Sequence, residues 1–553
     1  MLEVATSFFD GLQYVDPPES EEQHGLDIEE VAARLETSLP NQIKADLTKR
    51  IKSYEIEQAI DEAASGKAPG LDGIPTEVWK TYQAWYRRDV KAGKPAFNIA
   101  QAMCAVYNDI EKHGIDENTR FAEGWICPIY KKKDPRIIGN YRPITLLNTD
   151  YKIFTRALTM RLTPAAEHLV HPDQAGFLPG RKILDHVRLA ELAIDYAEAE
   201  EFEGAIVALD QEKAYDRVDH QYLWAVLRKL NIPENFIRTV QHLYQNAESA
   251  VMLNGTLGRR FKIVRGVRQG DPLSCLLFNL AIEPLATALR KSTLKGMEVP
   301  GGTGRLITKL FADDTTVYLS AHDDYNELLA ILTKWCAASR AKFNKEKTEI
   351  LPIGPEQYRS RVVRTRKLTS EAQALPTDVR ITPDGQAIRI LGAWVGNGAC
   401  EEMAWEPVLD KIQKNLKRWQ LRRPTLYGKK LIIGMEVAGR TQFLTAAQGM
   451  PPKILDRLNK MIADFVWDEA KHPPIKRETL HAPVQKGGLG MLNLSARNEA
   501  IQLMTMKSYL DISPARPQWA FLADTLFAKA ASAGLENQHP RGHGAARQSE
   551  KSS

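Results

Sequence analysis

Three carboxylates dominate the chemistry this chain can offer. Asp210 closes the apolar run Ala205–Leu209, and Asp313-Asp314 stand between two β-prone runs, Leu306–Phe311 and Thr315–Leu319. A hairpin tip presents its first acidic residue to whatever lies above the sheet. A second acidic strand end beside it would concentrate negative charge too costly to leave unpaired. Magnesium resolves such a cluster, because it takes oxygen ligands and shares them with substrate phosphates. Two such ions can activate an attacking hydroxyl and stabilise a leaving pyrophosphate. An Asp-Asp pair between two β runs is also an ordinary turn, and on these residues alone both readings stand.

The elements that must position these groups follow from periodicity and punctuation. Ala205–Asp210 reads as a buried strand, and the two runs flanking Asp313-Asp314 as a hairpin. Further strands are expected at Trp125–Tyr130, Phe261–Val264 and within Val379–Trp394. Helices are expected at Ile28–Thr37, Ser53–Ala64 with Ser53 as a cap, Thr76–Lys91, Phe97–His113, Asp150–Leu162 and Gly180–Glu200. Tyr222, Leu223, Val226, Leu227 and Leu230 form the inner stripe of another, and the chain beyond Pro407 is mostly helical. The glycine- and proline-rich stretch Gly66–Gly73 forbids helix. The acidic leader, with Pro17-Pro18, reads as a flexible approach, and Gly534–Ser553 as disordered.

Composition narrows the class. With 43% hydrophobic and 26% charged residues among 553, the chain is an ordinary globular protein of several domains. Its five cysteines form no C-x-x-C pair, which argues against a zinc ribbon or disulfide framework and favours a reducing compartment. His168, His171, His472 and His481 lack nearby cysteines and make no metal site. No run of about 18 apolar residues suggests a membrane span, and the first ten residues carry no Lys or Arg to open a secretory signal. Net charge is only +5, but it is segregated. Nine acidic and no basic residues lie in Met1–Ala33, against eight basic and no acidic residues in Lys411–Lys430. A polyanion is expected at the second stretch.

Five blocks, in order, resemble those of reverse transcriptases. They are Tyr141–Asn148 (YRPITLLN), Gln174–Arg181 (QAGFLPGR), Ala208–Val218 (ALDQEKAYDRV), Gly266–Ser274 (GVRQGDPLS) and Phe311–Asp314 (FADD). KAPGLDGIP within Gly66–Trp79, Phe at 311 where group II intron maturases generally show Tyr, and Lys486–Asn493 (KGGLGMLN) are similar to non-LTR (LINE-type) retrotransposon polymerases. The resemblance implies an α+β right-hand polymerase. Fingers, a palm with an antiparallel sheet and a thumb would follow a helical N-terminal extension and precede a mostly helical C-terminal region. The implied boundaries are 1–52 for the leader and first helices, 53–120 for the extension and 121–400 for fingers and palm. The thumb would take 401–470, the post-thumb region 471–533 and a disordered tail 534–553.

It further implies an RNA-directed DNA polymerase that adds deoxynucleoside triphosphates to a DNA primer on an RNA template. Two Mg2+ ions would serve, with Mn2+ as a substitute. Asp210, Asp313 and Asp314 become the catalytic metal ligands, with the main-chain carbonyl of Gln211. Asp216 is either a helix cap or a further ligand. Arg142 would grip triphosphate oxygens with its planar fork, assisted by one or more of Lys131, Lys132 and Lys133, or these lysines form a solvated loop. Gln269-Gly270 would lie under the incoming nucleotide, or form a plain turn before a helix near Pro272. Tyr215 would gate against the 2′-hydroxyl, or pack as a core tyrosine. Lys347 would donate a proton near the pyrophosphate, or be a surface lysine. Leu391-Gly392 resembles the primer-grip turn.

Leu409, Ile412, Leu416 and Trp419 share one helical face, and Lys411, Lys414 and Arg418 another, which suits a helix tracking duplex phosphates. Arg359, Arg361, Arg364, Arg366 and Lys367 would touch template RNA or alternate along an exposed strand. No obligate protein partner and no membrane is expected. The place is intracellular, and nuclear in a eukaryote. Only about 60 residues precede the extension motif, so the chain reads as a polymerase fragment. An inactive nucleic-acid-binding relic and a maturase that splices RNA are the competing readings. The intact carboxylates favour an enzyme over the first, and the KAPGLDGIP block argues against the second.

Overall fold

The run Gly204–Leu209 sends alternate side chains into two apolar layers, Ala205, Val207 and Leu209 to one and Ile206 to the other. A strand apolar on both faces belongs at the centre of a sheet covered on both sides, and that is its place. The computed structural model describes residues 1–14, 20–302, 304–468 and 474–538. In chain order the strands are β1 (Gly124–Tyr130), β2 (Tyr141–Leu147), β3 (Gly204–Leu209), β4 (Glu248–Leu253) and β5 (Thr256–Lys262). Then come β6 (Met297–Glu298), β7 (Arg305–Leu306), β8 (Thr308–Phe311), β9 (Asp314–Ser320) and β10 (Glu349–Ile353). The last are β11 (Arg380–Ile381), β12 (Ile388–Ile390) and β13 (Ala393–Val395). They form a five-stranded sheet in the order β11-β10-β3-β9-β8, a four-stranded sheet β2-β1-β4-β5, and the pairs β12-β13 and β6-β7. Both larger sheets are mixed, since β1 pairs with β4 and β10 with β11 in parallel and the other neighbours run antiparallel.

Helices Thr149–Leu169, His220–Lys229 and Ser274–Lys291 fill the large core under one face of the five-stranded sheet. Ile183–Ala199 and the start of Trp519–Gln538 cover the other. A third core lies wholly among C-terminal helices, where Leu409, Ile412 and Leu416 meet Ile454, Leu458 and Ile462. The result is a mixed α/β protein with helical parts before and after a central β core.

Several expectations are corrected. The acidic leader begins with a helix, Leu2–Gly11, because Ala5 and Phe9 bury against Ile126, Val251 and Phe261. Arg259 of β5 pairs with its Asp10 at 2.7 Å. Pro17-Pro18 and His472 lie outside the described residues. The next helix runs over Glu21–Ala33, not Ile28–Thr37, because the Ser20 side chain accepts the Gln23 N–H and starts it early. Ser53 is the first helical residue and not the cap; the Lys52 N–H donates to Glu55 instead.

Asp216 does not cap the following helix either. Asp219 does, accepting the Tyr222 N–H at 2.9 Å. The basic run near Arg359 is a helix, Glu356–Thr365, and not an exposed strand. Arg359 is buried against Asp384, Arg361 pairs with Glu203, and Arg366 donates to the carbonyls of Leu375 and Val379. Trp419 leaves its apolar stripe and is exposed, its indole N–H donating to the buried Glu436. The last helix continues to Gln538, past the expected start of the tail, and residues 539–553 lie outside the described residues.

Candidate active site

Strand register places the carboxylates. β3 and β9 run antiparallel with Leu209 opposite Thr315, so Asp210, one residue beyond β3, comes level with Asp314, the first residue of β9. Phe311 pairs with Asp314 across the β8-β9 hairpin, leaving Ala312-Asp313 at its tip. Ala312 sits at φ 54°, left-handed backbone that costs an alanine roughly 1–2 kcal/mol.

The segment around Gln174 holds that tip. The Gln174 side-chain oxygen accepts the N–H groups of Ala312 and Gly176, each at 2.8 Å, and its amide donates to the Ala312 carbonyl at 3.2 Å. Leu310 N–H donates to Asp173 O and Ala175 N–H to Leu310 O, adding a short parallel bridge to β8. A Cβ on Gly176 would stand 2.5 Å from the Ala312 nitrogen, so only glycine fits here. The QAGF block therefore works as a cradle for the FADD turn.

Around the carboxylates, Lys347 Nζ lies 2.8 Å from Asp210 Oδ2, and the Asp210 carbonyl accepts the Asn344 N–H. Gln211 is buried, bridged to Phe343, and donates its amide to Asp313 O at 3.3 Å. Asp314 is pushed up to about 6, by crowding of protein around it and then by repulsion from Asp313 and Asp210. Asp313 is raised mainly by burial, with Lys131 and Arg142 opposing. Lys131 is lowered by burial and by Arg142 and Lys132. Of the three lysines left open by the sequence, Lys131 is the one whose charge reaches both Asp210 and Asp313.

The donor set fits a hard divalent ion: all oxygen, mutually repelling and close to two cations. Among the described residues, however, no three His, Cys, Asp or Glu groups gather closely enough to enclose an ion. The Lys347 ammonium compensates Asp210 instead.

The remaining candidates lie on several elements. Arg142 is exposed on β2 opposite Ile129. Tyr215 is half-buried, stacked flat on Phe278 with centroids 4.6 Å apart. Its hydroxyl is buried beside the Cys275 thiol, and burial raises it, with Cys275 adding to the shift. The Tyr215 carbonyl accepts the Val267 N–H at 2.7 Å, tying the strand-to-helix junction to the GVRQGD loop. In that loop Gln269 O accepts the Thr145 N–H, and a Cβ on Gly270 would meet Thr145 O at 2.3 Å. The glycine is needed for close approach to β2. Asp216 keeps one buried carboxylate oxygen unpaired and is pushed up to about 6 by burial, against Lys213, Arg265 and Arg217.

Leu391-Gly392, both at positive φ, turn the β12-β13 hairpin. Gln448 clasps that hairpin by accepting the Trp394 N–H and donating to its carbonyl. Lys411, Lys414 and Arg418 lie apart from the carboxylates, exposed on the helix Glu406–Gln420. The sequence reading missed two residues. Gln174 was visible only as part of a block. Arg389, which acts on Asp314 from β12, was signalled by nothing but its place two residues before the Leu391-Gly392 turn.

Comparison with known proteins agrees with this geometry. Residues 130–392 match the family model "Reverse transcriptase (RNA-dependent DNA polymerase)". The chain is 28% identical to a Transposon TX1 uncharacterized 149 kDa protein of Xenopus laevis, over 97% of its own length and 38% of the relative's. It is 25% identical to the Pol polyprotein of a type-1 retrotransposable element R2 of Nasonia vitripennis, over 84% of the chain and 42% of that protein. With the R2DM element Pol polyprotein of Drosophila melanogaster, identity is 24% over 64% and 32%. The chain thus spans about two fifths or less of these relatives. Among the described residues no helix is long and apolar enough to cross a membrane. With these matches, the chain carries a reverse-transcriptase-like domain of the non-LTR (LINE-type) retrotransposon class.

Proposed function

We propose that this domain is an RNA-directed DNA polymerase, extending a DNA primer with deoxynucleoside triphosphates on an RNA template. The observation that carries the reading is the register that sets Asp210 level with Asp314 beside the Asp313 tip. In a right-hand description, 121–400 supplies fingers and palm and 401–470 the thumb. Asp210, Asp313, Asp314 and the Gln211 carbonyl would hold two Mg2+ ions, or Mn2+. Bound there, the metal supplies an activated primer hydroxyl and a neutralised pyrophosphate.

Arg142 and Lys131 hold triphosphate oxygens at the mouth of the site. Lys347 Nζ carries a proton for the departing pyrophosphate. The Gln269-Gly270 loop and the Leu391-Gly392 turn set the nucleotide and the primer end. The test is primer extension by the purified chain on a defined RNA template. No deoxynucleotide incorporation with either metal would remove the reading.

Tyr215 serves as the gate against ribonucleotides. Its ring, braced by Phe278, cannot yield to an added 2′-oxygen. Exclusion should be worth a few kcal/mol, about tenfold in selectivity per 1.4 kcal/mol. Tyr215→Val should keep deoxynucleotide extension and admit ribonucleotides. Equal discrimination at similar activity would take Tyr215 out of the site.

The thumb helix holds the duplex by charge. Lys411, Lys414 and Arg418 are exposed and have no ion-pair partner among the described residues, so neutralising them breaks no ion pair. The triple variant should flatten the plot of log affinity against log salt for an RNA–DNA hybrid. Each lost phosphate contact removes roughly 0.7–0.9 from the slope. An unchanged slope would move this helix away from the nucleic acid.

A further inference from the structure

A cavity of about 1120 Å³ opens between the helix Ile183–Ala199, the β12-β13 hairpin and the helices Gly439–Gln448, Leu494–Tyr509 and Trp519–Gln538. Its rim carries Trp394, Met403, Met506 and Phe527, each between 42% and 68% exposed. Large apolar side chains grouped around one opening mark a recognition surface. Its wall carries Glu191 and Asp195, one turn apart, without a hydrogen bond or ion pair among the described residues. Arg188 beside them is occupied. It lies over the Trp519 ring at 5.4 Å and donates to Ala446 O and Thr505 Oγ1. Burial pushes the Glu191 carboxyl up to about 8, with the Arg188 charge opposing and Asp195 and Glu401 adding to the rise. A carboxyl so crowded is held protonated near neutral pH, and a delivered cation would favour its ionised form.

We propose that this groove docks an amphipathic protein helix, which seats apolar side chains against Trp394, Met506 and Phe527 and one Lys or Arg against Glu191 and Asp195. The space exceeds the roughly 300–1,000 Å³ of small-molecule pockets, and an apolar trough with a charged wall suits a helix laid in a groove. The acidic groups Glu191, Asp195 and Glu401 outnumber Arg188 and Arg380 in the lining, and Arg380 is already paired with Glu349, which weighs against the phosphates of nucleic acid. The chain's own residues 539–553 contain no Leu, Ile, Val, Met, Phe, Trp or Tyr side chain to fill it.

The test is selection of a displayed library of random 16-residue peptides on the full chain, with Gln502→Trp, which fills the groove from an exposed position, as the comparison. Enriched peptides should show apolar residues at i, i+3, i+4 and i+7 with one Lys or Arg among them. In fluorescence anisotropy, replacing that cation by norleucine should weaken binding roughly tenfold or more. Glu191→Gln with Asp195→Asn should erase the difference without lowering the thermal midpoint. Four results would each overturn the proposal. They are no enrichment, peptides lacking a basic residue, equal binding to Gln502→Trp, and crosslinking of benzoylphenylalanine at position 506 to single-stranded RNA. A dimer of the chain dispersed by Gln502→Trp would give the groove to a second copy instead, and would equally overturn it.

Discussion

Asp210→Asn and Asp313→Asn should each abolish primer extension while leaving folding and template binding intact. Each substitution removes one anionic ligand and keeps the side chain's shape. Loss of several kcal/mol of transition-state stabilisation corresponds to about three orders of magnitude in rate. The fold has little to lose. The Asp210–Lys347 pair is substantially exposed on both sides, so its loss costs stability little. Neutralising Asp313 relieves its repulsion with Asp314. The thermal midpoint should therefore hold in Asp210→Asn and hold or rise in Asp313→Asn, with hybrid affinity unchanged. Extension at the parental rate in either variant would refute the assignment of that carboxylate.

Gln174→Ala should give the next largest effect, on the rate of chemistry and not on substrate affinity. Truncation strips the acceptor from two N–H groups, at Ala312 and Gly176, and the donor from the Ala312 carbonyl. Each unsatisfied buried group costs about 1–3 kcal/mol. Ala312 then has less to hold it in left-handed backbone, and the turn bearing Asp313 and Asp314 relaxes. A misplacement of about 1 Å can cost roughly a hundredfold. Single-turnover extension should fall by about that factor, with hybrid affinity kept. A lower thermal midpoint with an unchanged single-turnover rate would make Gln174 structural only. Ala312→Gly, which accepts positive φ without strain, should recover part of the lost rate in the Gln174→Ala background.

What the sequence determined by itself was local chemistry. The strand Gly204–Leu209, the FADD hairpin, the helix Thr76–Lys91 and the apolar face of Leu409, Ile412 and Leu416 all follow from side-chain periodicity and turn residues, which act over a few positions. The motif blocks were legible for the same reason, since each is a short contiguous run of residues.

Tertiary structure alone decided which groups meet. Gln174 and Ala312 are 138 positions apart, and Asp210 and Lys347 137 apart, so no window along the chain contains either pair. The same reason undid the readings that failed. Arginines 359, 361 and 366 could alternate along an exposed strand until the fold made their segment a helix and brought Asp384, Glu203 and main-chain carbonyls to them. The acidic first residues looked like a solvated approach until β1, β4 and β5 offered Ala5 and Phe9 an apolar surface. Gly270 announced a close backbone approach, but only the packing of its loop on β2 named Thr145 as what it approaches. Residue type dictates what a side chain can do; its partner is set by chain topology, which brings distant segments to contact distance.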